Sequence, residues 1–139
     1  MRLEIEFQEA YKRLDKLCKE LFLSETGVST YIREMENAPA AYQNAAATWW
    51  SDYKELKHVR WVRNQLAHEV GAMDAGICTK EDLLFVCEFY QRILKREDPY
   101  AVAAQSVERE TAKTKAPKKK KRAPWIVRFF KGIAKLLNW

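Results

Sequence analysis

Turn-forming and disulfide-forming residues are scarce in this chain of 139 residues. It has four glycines and four prolines, and its three cysteines are odd in number and form no Cys-x-x-Cys pair. Long stretches without glycine or proline disfavour a fold of many short strands and favour an all-α fold. The cysteines do not suggest a disulfide framework, so we expect reduced thiols, with Cys18 and Cys87 buried as small apolar residues in helices.

Long apolar runs are also lacking. No segment approaches the roughly 20 apolar residues that a bilayer-spanning helix needs. The N-terminal segment MRLEIEFQEAYKRLDK is charged throughout, unlike a signal peptide. We therefore expect a cytoplasmic protein, in which peripheral membrane association would depend on the C-terminal segment.

Charge of the two signs is separated along the chain. Residues 1–106 carry 14 Lys and Arg against 17 Asp and Glu, whereas residues 107–139 carry 11 against 2. The net charge of +6 is thus the sum over a mildly acidic part and a strongly basic one. This division predicts a folded domain over residues 1–105, a disordered lysine-rich linker over 106–124 and a separate C-terminal segment over 125–139.

Apolar residues at steps of three and four predict a bundle of about four helices in the first 105 residues. The first helix would bury Leu3, Phe7, Tyr11, Leu14, Cys18 and Leu21. A short helix is expected around Thr30–Glu36. The segment NAPAAYQNAAATWW is ambiguous, because its proline disfavours a helix and its alanines favour one. Trp49 and Trp50 at its end look like packing residues.

Two further helices follow with clearer end signals. One is expected to begin near Ser51 as N-cap and to end at Gly71, with a core stripe of Leu56, Val59, Val62, Leu66 and Val70. The other would begin at Thr79, which with Asp82 resembles a capping box, and end at Asp98–Pro99. Its inward positions would be Leu83, Val86 or Cys87, Tyr90, Ile93 and Leu94.

A polar arc lies beside the core stripe of the helix expected to begin near Ser51. On an ideal helix Arg63, Ala67, Arg60, Asn64 and His68 fill roughly 140° in that angular order. The small Ala67 leaves room for a ligand between the two guanidiniums, the amide and the imidazole. A purely structural interpretation is also open: Arg63 could stack along the bundle edge, and His68 could interact with carbonyls at the helix C-terminus. Metal binding is not expected, since His58 and His68 are ten positions apart and no ligand set surrounds them.

The segment RNQLAH, from Arg63 to His68, resembles the R-x4–6-H signature of the HEPN superfamily. The shared features are the polar residue after the arginine, the alanine before the histidine, and the position near the end of a long helix in a small all-α protein. The wider stretch ELKHVRWVRNQLAHE resembles small bacterial HEPN-like proteins, and the resemblance covers about residues 1–105.

The resemblance implies a homodimer that cleaves RNA without a metal or other cofactor. His68 would then be the general acid or base, Arg63 would stabilise charge on the scissile phosphate, and Asn64 would orient either group. Trp61, roughly 20° from His68 around the helix, would be a dimer contact or a stacking surface, and Arg60 would help to bind RNA. A role in a toxin–antitoxin or defence system is also implied, although Val70 stands where such toxins often carry a modifiable tyrosine.

A second interpretation of the same residues comes from a different class of function. Many HEPN-like domains are non-catalytic interaction modules, so the chain would serve as a scaffold. The same resemblance thus leaves an enzyme and a silent binding protein open.

The C-terminal segment WIVRFFKGIAKLLNW predicts a basic amphipathic helix. Its cationic positions recur at steps of three and four, and apolar and aromatic residues occupy the rest. Together with the lysine run before it, the segment offers a contact surface of Lys118, Lys119, Lys120, Lys121, Arg122, Trp125, Arg128, Phe129, Phe130, Lys131 and Lys135. An anionic membrane surface, a protein partner and RNA are the three ligands that this surface fits.

Overall fold

The computed structural model describes residues 2–114. Within that range the chain forms six α-helices, one short 3-10 turn and no strand, so the predicted all-α fold is confirmed. The helices are α1 (Arg2–Phe22), α2 (Val28–Asn37), α3 (Ala40–Ala45), α4 (Trp49–His68), α5 (Lys80–Leu94) and α6 (Pro99–Thr114). The 3-10 turn, Ala72–Asp74, lies between α4 and α5.

The bundle contains two more helices than the sequence pattern predicted. Pro39 does not disrupt the alanine-rich segment but precedes the short helix α3. Pro99, expected to end a helix, is the first residue of α6, where a missing N–H costs nothing because the first turn has no acceptor for it. Helix α6 continues to Thr114, so the first nine residues of the predicted linker, 106–114, are helical rather than disordered. The rest of the linker and the C-terminal segment lie outside the described residues.

Helix α1 lies at the centre of the bundle and packs against α5, α2 and α4. Its predicted apolar stripe is buried from Phe7 to Leu21. Aromatic rings from four helices meet at one end of the core, with Tyr31 contacting Phe22, Phe89 and Tyr100 edge-on at centroid distances of 5.2–6.2 Å. None of the helices within residues 2–114 is long and apolar enough to cross a membrane.

Three residues predicted to be buried are exposed, each because of local geometry. Val70, assigned to the core stripe of α4, is fully exposed because α4 ends at His68 and Glu69 is already extended. Cys87 faces solvent, and the neighbouring Val86 takes the core position on α5. Trp49 is buried as expected, but Trp50 is 51% exposed because it lies 100° further around the helix.

Candidate anion-binding cleft

A cleft of about 520 Å³ opens between α1, α4 and the start of α2. Helix α4 contributes Arg60, Arg63, Asn64 and Ala67 to its lining. These are four of the five members of the polar arc, and Ala67 does leave space beside the two arginines. The cleft therefore lies where the sequence pattern placed an opening for a ligand.

The fifth member of the arc, His68, does not line the cleft. It is the last residue of α4, it is exposed, and it lies roughly 140° from Arg63 around the helix. Its side chain forms no hydrogen bond or ion pair with any other residue in the range 2–114. Within one copy of the chain, Arg63 therefore lines the cleft and His68 does not.

Trp61 is likewise outside the cleft, on the side of α4 that carries His68. It is 49% exposed and stacks on His58 at a centroid distance of 6.1 Å. His58 in turn contacts the carboxylate of Asp82 on α5, with Nε2 and Oδ1 3.0 Å apart. His58 thus links Trp61 to the start of α5.

The junction of α1 and α2 forms the wall opposite Arg60 and Arg63. The Asp15 carboxylate accepts a hydrogen bond of 2.9 Å from the Val28 N–H, which satisfies a free donor at the start of α2. Gly27 makes this approach feasible, because a Cβ atom there would lie 2.0 Å from the Asp15 carbonyl oxygen. The glycine therefore fixes the spacing of the two helices at the cleft wall.

Two of the three carboxylates that line the cleft, Asp15 and Glu9, have cationic partners on their own helix, and the third, Glu25, lies in the loop between α1 and α2. Lys19 lies 3.4 Å from Asp15, and Lys12 lies 3.7 Å from Glu9. Arg60 and Arg63 make neutral contacts instead: Arg60 donates to the Ser29 hydroxyl at 3.3 Å and Arg63 to the side-chain amide oxygen Oδ1 of Asn64 at 3.1 Å. Among residues 2–114, no carboxylate lies within 4.0 Å of either guanidinium.

Tyr11 connects this wall to the arginines. It is 6% exposed and lines the cleft, and the Arg63 guanidinium lies 5.9 Å from the centre of its ring. Its hydroxyl has no hydrogen-bond partner in the described part of the chain. Burial and the nearby Asp15 charge raise the pKa of Tyr11, so the hydroxyl keeps its proton at neutral pH and can donate it to a bound acceptor.

The arrangement provides hydrogen-bond donors and positive charge for an anionic ligand. Two guanidiniums and a phenolic O–H converge on the cleft, and none of its described lining residues is a histidine or a cysteine. Phosphate and carboxylate groups match such donors, since arginine binds both in a bidentate manner. Within residues 2–114 there is also no cluster of three or more His, Cys, Asp or Glu side chains that could hold a metal ion.

The sequence pattern predicts the α4 side of the cleft but not its α1 side. Tyr11 is buried as its place in the α1 stripe predicts, but its position at the cleft, like those of Asp15, Lys12 and Lys19, was not predicted. A signal was present, because these three polar residues recur at steps of three and four along α1. That pattern alone does not show which neighbouring helix the polar row faces.

Comparison with protein families gives one match, which extends from residue 5 to residue 127 and is described as a family of unknown function, DUF6548. The chain belongs to the DUF6548 family. The DUF6548 match includes the helices, the cleft and the lysine run that follows α6. No curated protein and no solved structure matches the chain.

Proposed function

We propose that this DUF6548 protein is a HEPN-like RNA-binding module whose cleft holds a backbone phosphate between Arg60 and Arg63. The observation that carries the proposal is the pair of guanidiniums with no carboxylate partner, next to the unpartnered hydroxyl of Tyr11. A phosphate would accept from all three groups. The HEPN-like assignment rests on the RNQLAH motif at the end of a long helix in an all-α bundle.

RNA fits this cleft better than an isolated anion does, because the cleft is open and residues 107–139 are strongly basic. The carboxylates on the far wall, Glu9 and Asp15, are held by lysines and would face the ribose rather than the phosphate. Carboxylates are good acceptors for ribose hydroxyls, which distinguish RNA from DNA. The basic C-terminal segment would add attraction that does not depend on sequence.

The test is the affinity of the full-length chain for a short labelled single-stranded RNA, measured by fluorescence anisotropy at physiological salt. Arg60→Gln and Arg63→Gln should each weaken binding about tenfold, the loss expected for one charge-assisted contact. Tyr11→Phe should weaken it less, since a neutral donor is lost. Arg13→Gln is the matched control, because Arg13 is exposed on α1 outside the cleft. If Arg60→Gln and Arg63→Gln bind RNA as Arg13→Gln does, the cleft is not the binding site.

A second candidate function is metal-independent RNA cleavage by a dimer. His68 favours it, because its exposed side chain has no hydrogen-bond or ion-pair partner in the described structure and lies outside the cleft of its own chain. A second copy could bring its own His68 to the Arg63 of the first. His68 would then act as acid or base, and Arg63 would stabilise the charged phosphate.

A complementation experiment tests the dimeric site. RNA is incubated in EDTA with the full-length protein, with Arg63→Ala, with His68→Ala, and with a refolded mixture of the two variants. A site shared between copies is supported by three results together. The wild type cleaves RNA and leaves 2′,3′-cyclic phosphate ends, each variant alone does not cleave it, and the mixture of the two variants cleaves it again. Intact RNA with the wild type, or a solution mass of one chain, rules out the enzyme and leaves the binding module.

A further inference from the structure

Helix α4 carries an exposed stripe of aromatic and cationic side chains next to the cleft. Trp50, Tyr53, Lys57 and Trp61 lie within an arc of roughly 80° when each residue advances by 100°. We call these four residues the aromatic stripe. His68 falls within the same arc at the C-terminal end of the helix, and Arg60 lies about 20° beyond Tyr53 on the cleft side.

Neighbouring side chains hold the rings of the aromatic stripe in place, but the two tryptophan rings remain about half exposed to solvent. Trp50 and Trp61 are 51% and 49% exposed. Trp50 meets Tyr53 edge-on at 5.6 Å, and the Lys57 ammonium lies 5.1 Å from the centre of the Tyr53 ring. Trp61 rests on His58, which is itself fixed by Asp82. The rings are thus ordered by their neighbours, which lowers the entropy cost of stacking on a ligand.

The charged side chains that α4 itself places at the aromatic stripe and along its cleft side, Lys57 and Arg60, are positive. The two carboxylates of α4 are elsewhere: Asp52 is buried against Arg92, and Glu55 lies about 120° beyond the edge of the arc. The nearby Glu36 of α2 accepts a hydrogen bond of 2.6 Å from the Tyr53 hydroxyl. Lys57 and the flanking Arg60 make no ion pair with a described residue. A ligand on this surface would therefore be anionic and would offer flat π-faces.

We propose that the aromatic stripe of α4 is a stacking platform for single-stranded RNA. Bases would stack on Trp50 and on Trp61, while Lys57 contacts a phosphate between them and the adjacent cleft receives another. Trp50 and Trp61 are eleven positions apart, which corresponds to about 16 Å along the helix axis, so one base cannot reach both rings. Paired bases are not available for such stacking, which makes single strands the preferred ligand. This inference rests on the proposed function and specifies its ligand.

The test compares affinities of the full-length chain for a short labelled oligouridylate. Trp50→Ala and Trp61→Ala should each weaken binding about tenfold or more, as expected for loss of a base-stacking ring. Trp50→Phe and Trp61→Phe should retain most of the affinity, because a ring remains. Leu84→Ala, which removes an exposed apolar side chain from α5, is the matched control. Thermal melting monitored by circular dichroism verifies that every variant is folded.

Measurements at different salt concentrations and with unlabelled competitors distinguish the contribution of base stacking to RNA affinity from that of charge. The loss in the tryptophan variants should persist when salt is raised, whereas the loss in Lys57→Gln should shrink. A hairpin of equal charge should compete less well than unlabelled single-stranded RNA. Equal competition by the hairpin would overturn the proposal, as would tryptophan variants that bind like Leu84→Ala.

The experiment also distinguishes this inference from the proposed function. If Arg60→Gln and Arg63→Gln weaken binding and the tryptophan variants do not, the cleft binds RNA and the aromatic stripe does not. The reverse result would place RNA on the aromatic stripe and remove it from the cleft. If Trp61→Ala converts a dimer into a monomer by sedimentation without changing RNA affinity, the aromatic stripe is a subunit interface and the platform is wrong.

Discussion

The carboxylate of Asp98 accepts a hydrogen bond from the hydroxyl of Tyr31, joining the start of α6 to α2 inside the core. The same Oδ2 atom accepts from the Ala101 N–H at 3.3 Å, and the Tyr31 oxygen accepts from the Tyr100 N–H at 3.1 Å. Asp98 is fully buried, and its Oδ1 atom has no partner. The network satisfies free N–H groups at the start of α6. It also leaves a buried carboxyl, whose ionisation is unfavourable because the charge would be shielded from water.

Stability should therefore fall as pH rises through the neutral range. Burial raises the pKa of Asp98 to about 7, although the Tyr31 hydrogen bond acts in the opposite direction. An unfolded aspartate titrates near 4, so the native state binds the proton more tightly and loses stability between about pH 4 and pH 7. We expect the contribution of Asp98 to be on the order of 2–4 kcal/mol. Urea unfolding of the wild type at pH 5 and pH 8 measures it.

Asp98→Asn identifies the group responsible. The variant keeps an acceptor for Tyr31 and cannot ionise, so its stability should change much less between the two pH values. Asp74→Asn, at an exposed position in the 3-10 turn, is the control and should keep the wild-type pH dependence. If Asp98→Asn has the same pH dependence as the wild type, the buried carboxyl is not its source.

A second buried charge joins α4 to α5. Arg92 donates to both oxygens of Asp52, at 2.9 and 2.6 Å, and also to the Thr48 hydroxyl at 3.3 Å. Arg92→Met should lower the free energy of unfolding by about 3 kcal/mol, because it leaves the buried Asp52 charge without its partner. The double variant Asp52→Leu, Arg92→Met should recover a large part of the loss. A double variant less stable than Arg92→Met by denaturant unfolding would contradict this explanation.

The start of α5 offers a smaller and more local prediction. The Thr79 hydroxyl accepts from the Asp82 N–H at 3.2 Å, and the Asp82 carboxylate accepts from the Thr79 N–H at 2.9 Å. Thr79→Ala removes one half of this capping box and should cost about 1 kcal/mol in unfolding free energy. Thr79→Ser retains the hydroxyl and should stay close to the wild type. Equal loss in both variants would show that the methyl group, not the cap, matters.

The capping box is also a feature that could be predicted from the sequence, because both partners lie within one turn. The same holds for the buried stripe of α1, whose period fixes its inward face. Val70 was predicted wrongly because a stripe shows which side is buried but not where the helix ends. The structure of α6 was missed for a related reason: Asp98 and Pro99 suggest the end of a helix, but α5 already ends at Leu94 and Pro99 begins α6.

The residues of the candidate cleft also fall into two groups: those whose positions follow from a single helix and those whose positions depend on how helices pack. The angular order of Arg60, Arg63 and Asn64 is a property of one helix, and the cleft confirms that they share a face. The separation of His68 follows from the same geometry, since roughly 140° lies between it and Arg63. Tyr11 and Asp15 could not be assigned, because their place in the cleft depends on how α1 packs against α2 and α4.

The basic C-terminal segment carries the last prediction. We propose that it attaches the protein to anionic membranes, because residues 107–139 have 11 basic against 2 acidic residues, whereas the preceding 106 residues are net acidic. Each basic residue near an anionic surface contributes roughly 1 kcal/mol, and Trp125, Phe129 and Phe130 would enter the interface. The full-length chain should sediment with phosphatidylserine-containing vesicles but not with phosphatidylcholine vesicles.

Substitutions in this segment separate charge from apolar contact. Replacing Lys118–Arg122 with glutamines should abolish most of the binding at physiological salt, whereas Phe129→Ser with Phe130→Ser should weaken it at every salt concentration. Arg60→Gln, a single charge removed from the folded domain, should leave vesicle binding unchanged. If the protein sediments equally with neutral and anionic vesicles, the lysine run does not direct it to an anionic surface. The same conclusion holds if the variant with five glutamines sediments as the wild type does.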